Sequence, residues 1–210
     1  MFGLGVFSGT GVNGVVIIIF YVLAILMALI LHEVAHGLVA CWCGDLSAKD
    51  AGRLSLNPAK HLDPLGTLCF ILFGFGWAVP VPINPQNFRH PRRDPVWVAL
   101  AGIIMNLLLA FVASFFFVLL YDKSVWCYFF EYVMLINIVF ATFNILPIAP
   151  LDGFNLMAAL APRSAYVRFM DQNRLVAMLI LVAVVYFTNV LGFMQGGLIA
   201  LFLDFWGLIL

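Results

Sequence analysis

From Val15 to Cys43 the chain carries a single carboxylate, Glu33, in an otherwise apolar run. Where water is excluded, such a run can satisfy its backbone hydrogen bonds within itself only as a helix, and about 20 apolar residues suffice to cross a hydrocarbon core roughly 30 Å thick. A spanning helix over 15–43 is therefore predicted. The residues that disturb it most are His32-Glu33-Val34-Ala35-His36. Side chains four apart share a helix face, so His32 and His36 are spaced to hold one Zn²⁺, with Glu33 beside them as a general base.

The chain has four histidines, so their pairing around a glutamate is not a compositional accident. Ionisable groups at membrane depth are costly and mark functional positions. His32 falls roughly 26 Å along the helix from Val15, in the last third of the crossing. A composition 65% hydrophobic and only 10% charged identifies an integral membrane protein, and 210 residues give room for four to six membrane segments. Net charge is zero and no long basic run occurs, which argues against nucleic acid as a partner. Cys41, Cys43, Cys69 and Cys127 lack paired ligand spacing and read as small buried residues. The N-terminal stretch has no basic region ahead of the apolar run, so no removable signal peptide is expected. Gly9 to Gly14 matches a dinucleotide-binding pattern, but the strand that pattern requires has no room before it; a lead-in with Asn13 near the helix start fits better.

The predicted fold is an all-α polytopic membrane protein, a single membrane-embedded domain over 1–210. After the 15–43 helix, residues 44–95 are expected to form a small β-hairpin, with its turn near Asp50 to Gly52, and then a re-entrant or surface segment between the first two full spans. Only 15 residues separate Pro64 from Pro80, about 22 Å of helix and short for a crossing. Seven of the ten prolines lie from Pro58 to Pro95, so the chain around Pro80 to Pro85 should be extended. A second span is expected over 96–120, a polar turn over 121–124, and a third helical stretch over 125–153 that breaks at Pro147 and Pro150 before Asp152. The basic stretch from Arg163 to Arg174 then leads to C-terminal helices over 175–210, where Gly192 and Gly196 mark either a packing face or a turn.

Two histidines need a further protein ligand, and a catalytic zinc keeps a position for water. Glu131, Asp152 and Asp204 are the acidic candidates in or beside membrane segments; His61 and His90 are candidates in loops. Glu131 and Asp152 are 21 residues apart, about 31 Å along a helix, so one site cannot use both. If Asp152 completes the site, it lies at the depth of His32 and His36. The first helix and the one ending near Leu146 then run in the same direction, 96–120 runs oppositely, and 44–95 makes no net crossing. That arrangement puts Lys49, Arg53, Lys60, Arg89, Arg92, Arg93, Arg163, Arg168 and Arg174 on the active-site side and leaves Lys123 opposite. By the positive-inside rule the active-site side is cytoplasmic.

His32-Glu33-Val34-Ala35-His36 together with Asn144-Ile145-Leu146-Pro147-Ile148-Ala149-Pro150-Leu151-Asp152-Gly153 resembles the site-2 protease family of intramembrane zinc metalloproteases. Gly52 to Pro58 and Gly76 to Pro85 resemble its short bacterial branch, without an inserted PDZ or CBS domain. The resemblance implies one Zn²⁺ per chain held by His32, His36 and Asp152, with Glu33 as catalytic base and Asn144 near the substrate or oxyanion. It gives Asn106 a similar polar role, within Ala101-Gly102-Ile103-Ile104-Met105-Asn106, where the family pattern has proline at the place of Ile103. The implied activity is hydrolysis of membrane-spanning protein substrates in a bacterial plasma membrane, with the lipid bilayer as surroundings and the active site towards the cytoplasm. His61 and Asp63 are candidates for lining a water entrance. A prenyl-protein type of membrane zinc endopeptidase and a non-catalytic metal-binding membrane protein are the competing readings. The sequence leaves the natural substrate and the oligomeric state open.

Overall fold

The structure is a computed structural model that describes residues 13–66 and 79–209. Helix α1 spans Gly14–Trp42, opened by Asn13, whose side chain accepts the Val15 N–H at 3.0 Å. A short α2 covers Ser47–Asp50, and 3₁₀ turns cover Pro58–Lys60 and Pro85–Asn87. Helix α3 runs over Asp94–Leu120 and α4 over Trp126–Asn144. Then come α5 (Asp152–Leu160), α6 (Ala165–Gln172), α7 (Arg174–Phe187) and α8 (Val190–Gly207).

Helices α1, α3, α4 and α8 are long and apolar enough to cross a membrane. The described residues thus form a mostly helical, multi-pass membrane protein. Helix α7 has 14 residues, about 21 Å, and is bent by 101° from α6, so this first part of the C-terminal helices expected over 175–210 is short of a full crossing alone. Gly192 packs beneath Asn189 Oδ1, whereas Gly196 meets nothing among the described residues, so those two glycines build no helix-packing face against them.

Contacts along the helices fix their directions. Asn106 of α3 meets Ala28 and His32 of α1, while Val98 meets His36, so α1 and α3 are antiparallel. Phe20 stacks on Trp126 and His32 lies edge-on to Phe140, so α1 and α4 are parallel. Alanines make this packing close: Ala24 and Ala28 of α1 and Ala110 of α3 are fully buried in the same cluster as Ile138 of α4. Small side chains let helix backbones approach where no hydrophobic effect drives them together. Helix α8 is fastened to α3 by the Trp206 indole N–H, which donates to Ser114 Oγ at 2.9 Å.

The expected β-hairpin is absent: no strand occurs among the described residues of 44–66 or 79–95. Local side chain to backbone bonds have taken over the groups a ladder would use. Asp45 Oδ1 accepts from the backbone N–H and hydroxyl of Ser47 at the start of α2, and Asn57 Oδ1 accepts from Ala59 N–H within the first 3₁₀ turn. Gly44 and Gly52 take φ of 110° and 63°, bending the chain where a strand would run straight. The expected re-entrant stretch falls largely outside the described residues. Its flanks are nonetheless joined, because Val79 N–H donates to His61 O at 2.9 Å.

Candidate metal centre

Helix α1 presents His32 and His36 one turn apart, both buried, with their rings 4.6 Å apart. Helix α3 lies against them through Gly102, where a Cβ would collide with both imidazoles. Asp152 comes from the first turn of α5. Gly153 permits that turn to pack on the end of α4, since a Cβ there would strike the carbonyls of Ile145 and Leu146. The ligand-type atoms converge: His32 Nε2 and His36 Nε2 are 3.1 Å apart, and each is 3.0 Å from Asp152 Oδ2.

Second partners of the rings decide which nitrogens face this point. His36 Nδ1 lies 2.7 Å from the Val98 carbonyl, which only accepts, so Nδ1 carries the hydrogen. Asn106 uses its amide N–H₂ on Ala28 O and Asn137 Oδ1, leaving Oδ1 to accept from His32 Nδ1 at 2.6 Å. In the neutral rings both Nε2 atoms are therefore lone-pair donors. Two imidazole lone pairs and a carboxylate oxygen meeting at one point are a donor set that fits zinc. Ligands about 2.0–2.1 Å from a tetrahedral zinc stand about 3.3 Å apart, close to the observed separations.

Glu33 sits beside this group, and its Oε2 accepts the Val81 N–H at 3.1 Å. Val81 lies between Pro80 and Pro82, which have no N–H, so it supplies the sole amide donor of that tripeptide. Two bonds hold the same strap in place: Arg53 donates to Val79 O, and Asn84 N–H donates to Asp45 Oδ2 at 2.7 Å.

Among the described residues, His32, His36 and Asp152 are the group placed to hold a metal. Asn106 is fully buried and committed to His32, Ala28 and Asn137, which makes it an orienting residue for a ligand. Asn144 donates back to Phe140 O at 3.1 Å and does not join the cluster. His61 Nε2 bonds Ser55 O, and His90 pairs with Asp94, so neither joins it either. The sequence did not single out Asn137 or the Val81 amide, and Gly102 entered only as part of the Ala101 to Asn106 motif. Asn137 had a signal, since it stands two helical turns before Asn144 on one face of an apolar helix; a backbone donor such as Val81 leaves none.

A paired-histidine and carboxylate centre with an adjacent glutamate, built into a helical membrane bundle, defines the zinc hydrolase class. Comparison with known proteins narrows this. The family model for Peptidase family M50 matches residues 121–188, a stretch that carries Asp152. YwhC of Bacillus subtilis (strain 168), provisionally named a zinc metalloprotease, is 40% identical over 152 residues, covering 68% of this chain and 69% of that protein. Rip2 of Mycolicibacterium smegmatis, also provisionally named a zinc metalloprotease, is 29% identical over 139 residues, covering 63% of this chain and 53% of that protein. No solved structure matches the chain at a significant level. The chain belongs to peptidase family M50, the site-2 proteases, and is a zinc metalloendopeptidase.

Proposed function

We propose that this protein is an intramembrane protease that hydrolyses peptide bonds of membrane-spanning substrates near the cytoplasmic side of a bacterial plasma membrane. The observation that carries the reading is the convergence of His32, His36 and Asp152 towards the end of a membrane-length helix, inside the bundle. In this reading the described helices act as one protease domain, and His32, His36 and Asp152 hold one zinc per chain. When bound there, zinc supplies Lewis acidity, polarising the scissile carbonyl and making water a nucleophile near neutral pH.

Glu33 is the general base: it takes the proton of the attacking water and passes it to the leaving nitrogen. The Val81 amide holds its carboxylate in place for that transfer. Asn106 and the Val98 carbonyl fix the histidine tautomers and ring orientations. Asn144, partly exposed near the end of α4, is assigned to the substrate or oxyanion, which requires its amide to leave Phe140 O. The basic residues clustered around 49–93 and 163–174, with Lys123 at the other end of α3, support a cytoplasmic active-site side.

The test is cleavage of a single-span model substrate in liposomes by wild type and Glu33→Gln, with the cut bond mapped by mass spectrometry. The reading predicts a bond within the cytoplasmic third of the span, and a Glu33→Gln protein that keeps zinc but is slowed by about 10²–10⁴. Cleavage confined to soluble peptides would overturn intramembrane action, and undiminished activity of Glu33→Gln would overturn the base assignment.

A further inference from the structure

A groove of about 520 Å³ runs between α1 and α3. It opens outward, because Trp42, Trp97, Ile104 and Leu108 on its walls are exposed. Its floor includes Ala35 and Ala101, both buried and each next in sequence to a residue of the metal centre, His36 and Gly102. One end is basic. Arg89 and Arg93 line it, both exposed, and neither forms an ion pair among the described residues. Asp94, also at that end, is buried and engaged with His90, accepting its backbone N–H at 2.8 Å.

We propose that this groove binds an anionic phospholipid, its phosphate held by Arg89 and Arg93 and one acyl chain lying along α3 as far as Leu108. The dimensions favour this occupant. From Trp97 to Leu108 the groove follows α3 for about 16 Å, roughly half of a 30 Å hydrocarbon core and thus one leaflet. Two tryptophans flank the basic end, the level at which indoles settle between headgroups and acyl chains. Guanidinium groups match phosphate oxygens in charge and geometry, and basic pockets between membrane helices collect anionic headgroups. A free anion would leave the groove's apolar length empty. A chain seated here supports the α1–α3 junction at the level where Val98 O receives His36 Nδ1.

The experiment is native mass spectrometry of the zinc-loaded protein in detergent, titrated with dioleoyl-phosphatidylglycerol or dioleoyl-phosphatidylcholine. Wild type should retain one phosphatidylglycerol per chain in preference to phosphatidylcholine. Arg89→Gln combined with Arg93→Gln should weaken that retention roughly 30-fold, the loss expected of two interfacial arginines, with zinc content unchanged. Met105→Trp, which fills the groove without altering charge, should abolish retention while both arginines remain. Equal retention of the two lipids, or retention indifferent to these variants, would overturn the proposal. So would displacement of the lipid by inorganic phosphate, which would mark a simple anion site, or by a single-span substrate peptide, which would assign the groove to substrate.

Discussion

Two buried polar clusters differ in one respect that separates scaffold from site. At the end of α1, Asp45 is fully buried and its two oxygens accept four hydrogen bonds, from Ser47 N–H, the Ser47 hydroxyl, Asn84 N–H and the Asn87 side chain. Inside the bundle, His32, His36, Asn106 and Asn137 are equally buried, yet their bonds are arranged so that both Nε2 atoms remain to meet Asp152. The first cluster is saturated by its own donors and fastens two loops. The second has spent its donors elsewhere and leaves lone pairs converging on a point. Burial alone does not distinguish them; the direction of the unspent acceptors does.

The sharpest way to break this contrast is Gly102→Ala. Its methyl group would push into both imidazoles, and zinc affinity should fall more than about 100-fold, exceeding the usual cost of disturbing one supporting partner. Asn106→Ala should cost roughly 10–100-fold in zinc affinity, because His32 loses the acceptor that fixes its tautomer. Asn137→Ala acts one step further out, through Asn106, and should cost about fivefold, the worth of one net hydrogen bond. Competition with a fluorescent zinc chelator measures all three.

Asp45→Asn should leave zinc affinity unchanged and instead destabilise the fold by roughly 2 kcal/mol, since it removes hydrogen bonds to a buried charge. Burial works to raise the Asp45 pKa, but the bonds from Ser47, Asn84 and Asn87 prevail and lower it. A carboxylate with a lowered folded-state pKa contributes stability that is fully present above its unfolded value, about 3.9, and is lost as pH falls towards the folded value. The melting-temperature gap between wild type and Asp45→Asn should therefore be constant above about pH 5 and shrink below about pH 4.

The spanning helices and the shared face of His32 and His36 were legible because a few residues carried the whole physical constraint. An apolar run ended only by polar caps fixes α1, and the spacing of His32 and His36 fixes a shared face. Asp152 was one of several acidic and histidine candidates, and the resemblance of its Pro-Leu-Asp-Gly stretch singled it out. The region after α1 was not legible. Its alternating leucines and polar residues suited a strand, but whether Asp45, Asn57 and Asn84 bond a ladder or their own turns depends on partners far along the chain, such as Asn84 N–H reaching Asp45. The same holds for Glu33: its motif points to a base, while the amide that holds it belongs to a loop 48 residues away.

The most direct measurement is the zinc content of purified wild type, Asp152→Asn and Asp45→Asn, by inductively coupled plasma mass spectrometry after dialysis against a weak chelator. The account predicts one zinc per chain for wild type and Asp45→Asn, and little or none for Asp152→Asn. Zinc retained by Asp152→Asn at the wild-type level would contradict it, because the carboxylate meeting the two histidines would then not be a ligand.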